Sequence, residues 1–544
     1  MTKLVLPRVF LMLVLLLTGC AGSPAVAAPA LAGSVVAAVT LTPFQPQQPT
    51  PMPTLAGVWV SAAVPEVLRQ AVLAQGLPLV ESKEQASAVL EQASVVSGGH
   101  VSKWIYALVA AFPTVRDAVT FDELKAAWQG NGGGLLMTDT TYAAMQTLLG
   151  GQAGPSVRQV SAAELTDLLW QDRTLWAIVP FDALNDKLKV LEIDGQSPLR
   201  KEFNSEQYVL KVLYVVNPEL VSLPDGNRDS EKLTTVLMTG TTALVRAISY
   251  KMQINGVTYP ARDIGDWLRG ADILHVSNEV AFTPDCPEPD PNDGHLRFCS
   301  AVENIGLLDE IGVDVIESTG NHVNDWGTDA LAYSLDLYRQ RGWLVFGGGQ
   351  NLAEAAQAAI LERNGARFAF IGCNEPGPNF AWATESHAGA MPCGDYVWLE
   401  TEIRRLKASG AVVMVGLQNY EYYSSDARPN QMETFRRLAD AGADVVSGSQ
   451  AHFSQSMEFY NGTFIHYGLG NLFFDQMWHW YDDGTRTENI RREFLDRYVF
   501  YDGRLVGIEL LTSMLEDFSK PRPMTVEERQ LFLQEYFAAS GWGG

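Results

Sequence analysis

ADVVSGSQAHFSQSMEFYNGTFIHYGLGNLFFDQ, residues Ala443 to Gln476, joins a short apolar run to a polar loop, then to a hairpin and a Gly-rich turn. Val445 and Val446 end at small residues, as a central strand does when it delivers polar groups to a sheet edge. The loop Gly448-Ser449-Gln450-Ala451-His452 follows. Asn461-Gly462 is a strong hairpin signal between two strand-like runs, with Phe464, His466 and Tyr467 after it. The stretch closes on Gly468-Leu469-Gly470-Asn471.

Upstream the same grammar repeats. Strand-like runs at Leu233–Met238, Ile273–Val276, Val313–Ile316, Phe368–Ile371 and Val412–Leu417 alternate with helical stretches such as Ala330–Arg341 and Met432–Ala441. That alternation predicts an α/β domain over 233–514. Residues 515–544 read as a Pro-rich bend and an amphipathic helix from Thr525 to Phe537. A turn cluster at Pro224-Asp225-Gly226-Asn227 marks the boundary with an earlier block, 53–220. There, helical stretches (Ala63–Ala74, Phe121–Trp128, Ala162–Trp170) alternate with strands at Trp104–Val109 and Trp176–Pro180, again an α/β pattern.

Seven of the eight histidines lie beyond residue 270, which draws the chemistry to the second block. Its richest motif is Thr319-Gly320-Asn321-His322-Val323-Asn324-Asp325-Trp326-Gly327. An amide oxygen binds a metal without adding charge, an imidazole of near-neutral pKa donates a proton, and a neighbouring carboxylate orients the ring. Asn278 and Glu279 close the run from Ala271, and Gln418, Asn419 and Glu421 follow the run ending at Leu417.

Taken in order with the Gly448–His452 loop, these motifs resemble the CapA capsule-biosynthesis (poly-γ-glutamate) family, whose members carry a calcineurin-like metallophosphatase fold. The resemblance covers nearly all of the second block and implies a metallophosphatase-like α/β sandwich. It implies Glu279, Asn321 and His452 as metal ligands, with His322 and Asp325 as the proton-handling pair. Several positions depart from the family. Thr241 stands where the family has a metal-binding Asp, and a neutral hydroxyl is a poor ligand for a hard divalent ion. Gln418 or Asn419 replaces a histidine, Gln450 replaces another, and His466 stands where the family more often has an aromatic residue. Thr241, Asn278, Gln418, Asn419, Glu421, Gln450 and His466 are therefore the remaining pocket candidates. Gln and Thr keep hydrogen-bonding capacity, so a polar pocket without metal is a coherent alternative. Tyr420, Tyr422 and Tyr423 surround this region, and Trp478 to Tyr481 are placed at its mouth.

In the first block, three features resemble a periplasmic solute-binding domain of the phosphate-binding type. They are Tyr106–Ala111 with the Phe121–Gly130 stretch, Trp176–Phe181, and Leu191–Pro198. All are packing and turn elements, so the resemblance implies a fold and no ligand.

The N-terminus reads as a targeting segment. Lys3 and Arg8 precede an apolar run from Val9 to Leu17, and Leu17-Thr18-Gly19-Cys20 resembles a lipobox. Residues 1–20 are thus a lipoprotein signal peptide, Cys20 the lipidation site, and the Ala/Pro-rich 21–52 a flexible tether. The expectation is an extracytoplasmic protein anchored to the cell membrane. Four further cysteines suit an oxidising compartment, and proximity pairs Cys286–Cys299 and Cys373–Cys393. A net charge of −24 argues against nucleic acid as partner.

Two functions stand on this reading. One is an exported, lipid-anchored phosphoesterase-like hydrolase of cell-envelope or capsule polymer, holding one divalent metal (manganese, zinc or iron). The other is a metal-free protein that binds or assembles an envelope polymer or small solute on the same fold.

Overall fold

The computed structural model describes residues 57–94, 98–217 and 221–543. Cys20 and the expected signal peptide and tether lie outside the described residues. The first block forms an α/β layer on one eight-stranded sheet. Its longest strand, His100–Ala111, runs beside Lys211–Asn217 and Trp176–Pro180. The helix expected at Phe121–Trp128 has those bounds, opened by a Thr120–Glu123 capping box that satisfies its first amides.

The second block is a sandwich of two sheets. In one, Leu344–Phe346, Val315–Glu317, Ile273–Asn278 and Leu233–Thr239 run parallel, and Arg492–Tyr501, Arg504–Glu516 and Lys520–Pro523 continue antiparallel. In the other, Ala366–Asn374, Val412–Gln418, Val445–Ser449 and Thr463–His466 run parallel. Val236, Ile273 and Val315 of the first sheet meet Phe368, Met414 and Val445 of the second in one buried core. Helices Arg246–Asn255 and Thr328–Arg341 cover the outer face of one sheet, and Val397–Ala408 and Pro429–Asp440 that of the other. Strands buried on both faces read as continuous apolar runs, which is why they stood out in the sequence.

Three differences from expectation have physical causes. The hairpin Arg492–Tyr501/Arg504–Glu516 was not anticipated, because charged residues interrupt its apolar pattern (Asp496 is fully buried, Arg497 largely so). Part of the Pro-rich bend is an edge strand, Lys520–Pro523, where a proline's missing N–H costs no ladder bond. The strand it pairs with, Arg504–Glu516, accordingly runs past the expected 514 boundary.

The two blocks share packing. Phe112 enters the sandwich core against Phe459, Phe464 and Phe537. Val499 and Val506 of the long hairpin join the core of the first block. Arg504 donates to the carbonyls of Asp182 and Leu184, and Arg529 makes a bidentate pair with Asp117.

Candidate functional site

Parallel strands put their carboxyl ends on one edge, and the chain leaves that edge in loops that gather polar groups. Leu233–Thr239 leads to Thr241, Ile273–Asn278 to Glu279, Val315–Glu317 to Asn321 and His322, Val412–Gln418 to Asn419, and Val445–Ser449 to Gln450 and His452. The Gly468–Asn471 turn closes the edge: Thr241 donates its amide to the Gly470 carbonyl at 3.0 Å and accepts from the Leu472 amide at 2.8 Å. Gly320 lets the Asn321–His322 loop cross Glu279, since a Cβ there would sit 2.4 Å from the Glu279 Cα.

Gln450 and His452 both adopt left-handed backbone, with φ of 75° and 50°. For non-glycine residues this conformation costs energy and persists only where the surroundings hold it. His452 is held by Nδ1, 2.8 Å from Asn471 Oδ1. Asn471 Oδ1 can accept there from the Nδ1 proton, and Nε2 lies 3.6 Å from Glu421 Oε1.

His322 pairs through Nδ1 with Asp325 Oδ2 at 2.7 Å, and the same oxygen accepts from the Phe298 amide at 2.8 Å. Burial pulls the His322 pKa down, but the Asp325 bond and the Glu279, Asp325 and Glu421 charges outweigh it, so the net shift is upward. The loop carrying Phe298 is fastened by the Cys286–Cys299 disulfide, and the Phe298 ring lies 4.6 Å from the His322 ring. Arg246 stacks over Phe298 and forms a bidentate pair with the buried Asp475.

Glu279 is the anomaly. It is 1 % exposed and neither carboxylate oxygen has a hydrogen-bond partner. Burial raises its pKa, the neighbouring His452 and His322 oppose that, and Glu421 and Asp325 add to it. A buried carboxyl without donors is costly, so native proteins rarely keep one without a use for it.

The amides form a separate ladder. Gln418 donates to both Asn321 (3.3 Å) and Gln450, and Ser449 Oγ lies 3.0 Å from Gln418 Oε1. Beneath it, Glu317 accepts from Thr319 at 2.6 Å, lies 2.9 Å from Ser449 Oγ, and faces His275 Nε2 at 3.0 Å. The sequence offered no signal for Glu317 or His275 beyond polar residues in apolar strands. Asn278 is turned to the Val280 carbonyl and the Tyr338 hydroxyl, and Asn419 to Glu375. His466 needs correcting as a pocket candidate. It is fully buried, with Nδ1 2.6 Å from Asp496 and Nε2 3.2 Å from the Gln455 carbonyl, so the core takes up both ring nitrogens.

A two-metal centre does not fit these residues. Thr241, Gln418 and Gln450 carry no charge to share between cations, and the amide oxygens of Asn321 and Gln450 already accept from Gln418. Among the described residues, no three His, Cys, Asp or Glu side chains are grouped to hold a metal ion.

Polar loops gathered on one edge of a four-layer α/β sandwich form a candidate site at the strand ends where such sheets commonly build one. Residues 235–476 match the family model described as bacterial capsule synthesis protein PGA_cap, the family that the motifs of the second block resemble. The chain is similar to the capsule biosynthesis protein CapA of Bacillus anthracis, 24 % identical over 58 % of this chain and 75 % of that one. It is also similar to the PGA biosynthesis protein CapA of Bacillus subtilis, 29 % identical over 36 % of this chain and half of that one. Among solved structures, a 5'-nucleotidase-type protein from Staphylococcus aureus is 11 % identical over 56 % of this chain and 59 % of that one, with a TM-score of 0.31. An ABC-type phosphate transport receptor from Vibrio cholerae is 9 % identical over 29 % of this chain and 85 % of that one, with a TM-score of 0.25.

Proposed function

We propose that this protein acts outside the cytoplasm in the biosynthesis of a bacterial surface polymer, through a cleft that binds polymer and handles a proton without a two-metal centre. The observation that carries this reading is the Glu279 carboxyl, buried without a partner between His322 and His452. A ligand that supplies a donor would satisfy such a group. The similarity to capsule-synthesis proteins supports a surface polymer as that ligand. His322, oriented by Asp325 and partly open to solvent, is the group able to give a proton to a leaving oxygen or take one from an incoming hydroxyl. Both disulfides, Cys286–Cys299 and Cys373–Cys393, belong in an oxidising compartment. Lipid anchoring through Cys20 is part of this proposal, and the mass of the mature N-terminus tests it.

The test is thermal stabilisation of the purified chain by fragments of capsular and envelope polymers. A ligand raises the midpoint in the wild type and not in Glu279→Gln. No stabilisation by any envelope polymer would overturn the proposal.

A second reading keeps one divalent metal. The Nε2 lone pair of His452, the Glu279 oxygens and the Asn321 amide oxygen would hold it, and it would supply a Lewis acid for a phosphoester or acyl oxygen. Elemental analysis after dialysis decides: one equivalent of manganese, zinc or iron, lost in His452→Ala, supports it, and none sinks it.

A further inference from the structure

We propose that the exposed aromatic ribbon beside the cleft, His479–Trp480 paired with Arg486–Thr487, is a stacking platform for an uncharged glycan strand. This rests on reading the cleft as a polymer site. The ribbon belongs to neither sheet of the sandwich. Trp478 and Trp480 are 45 % and 58 % exposed. Trp480 lies in the ribbon and Trp478 just before it. Arg486 lies 5.5 Å from one indole and 5.8 Å from the other, and holds both.

The ribbon is fastened to the cleft. His479 stacks on Tyr423 at 3.7 Å, and the Tyr481 hydroxyl donates to the Tyr423 carbonyl at 2.9 Å. Tyr423 in turn sits beside Glu421, which faces His452. These contacts anchor the ribbon beside the polar site.

Ring chemistry and charge select the occupant. The C–H face of a sugar ring is apolar and its hydroxyls point outward, so a flat indole removes apolar area from water while the hydroxyls stay wet. A polyanion meets the wrong field here. Arg486 is already paired with Glu488 at 2.5 Å, the ribbon's turn carries Asp482 and Asp483, Glu421 is half exposed, and the chain bears −24. An uncharged strand meets no such repulsion.

The experiment titrates the full chain with the hexamer of N-acetylglucosamine and with cellohexaose, following tryptophan emission and heat, with poly-γ-glutamate in a parallel arm. A neutral hexasaccharide is expected to bind and quench, and Trp480→Ala and Trp478→Ala each to weaken binding at least ~10-fold with the thermal midpoint unchanged. Three results would overturn the platform: no binding of either hexasaccharide, affinity unchanged in both variants, or polyglutamate binding that depends on the two indoles. Both variants are also scored for the cleft's own stabilisation by envelope polymer. A platform that fails while that response persists leaves the cleft reading standing.

Discussion

Asn471 Oδ1 and His452 Nδ1, 2.8 Å apart, join the Gly-rich turn to the loop that carries the site's strained backbone. Both side chains are buried, so the bond has no water to replace it. Asn471→Ala leaves a buried imidazole N–H without an acceptor and is expected to cost about 1–3 kcal/mol in urea unfolding. Asn471→Asp, which keeps an acceptor, is expected to recover much of the loss. Equal stability of Asn471→Ala and wild type would show that the bond does not hold the loop.

Glu279 has the opposite sign. Removing the charge from a buried carboxyl that no donor serves relieves desolvation, so Glu279→Gln is expected to stabilise the ligand-free chain by about 1–2 kcal/mol. The same change removes the response to ligand. A destabilised Glu279→Gln would mean that the carboxylate already has a partner in the folded protein.

A second buried carboxyl sets a pH dependence. Burial holds the Glu493 pKa well above the usual range, with one hydrogen bond from Ser513 Oγ at 2.5 Å opposing it. Below pH about 4 the folded and unfolded chains both keep that proton, and no stability is lost. As pH rises, the unfolded chain releases the proton first, so stability falls until the folded carboxyl also ionises. Glu493→Gln is expected to raise the thermal midpoint at pH 7 to 8 and leave it unchanged near pH 4. A midpoint difference independent of pH would refute this assignment.

The Cys373–Cys393 bond closes a loop of 20 residues that carries Trp382, whose indole donates to Asn374 at 2.9 Å. Cys373→Ser/Cys393→Ser is expected to lower stability by roughly 3 kcal/mol. Unfolding of the double variant against the wild type, both without reductant, checks it: a shift under 1 kcal/mol, on the order of an exposed contact, would show that the loop is held by other means.

Much of this was legible in the sequence, and the reasons are physical. Apolar runs such as Val412–Leu417 and Val445–Val446 are strands buried on both faces, and their carboxyl ends forecast where Gln418 and Gln450 meet. The Asn461-Gly462 turn joins Met457–Tyr460 to Thr463–His466 as expected. Polar residues that serve the core were harder to read. His466 looks like a pocket group because histidine near a loop does so whether it faces a ligand or a buried carboxylate, and Asp496, its partner, is 30 residues away. Glu317 was invisible for the same reason: its partners Ser449 and His275 come from other strands. The ladder from Asn321 through Gln418 to Gln450 exists only after folding, although each member was noticed singly.

The packing of Phe112 into the sandwich, with Val499 and Val506 lodged in the opposite block, bears on how this gene can be divided. A break in the segment between the blocks would yield two fragments, each with an uncovered apolar face, rather than two modules. The ion pairs of Arg529 with Asp117 and of Arg200 with Glu509 would be severed along the same seam. Fragments made together would re-form the seam, while either made alone would seek a substitute partner. The two blocks thus share one interior, and the segment between them joins halves of a single folding unit.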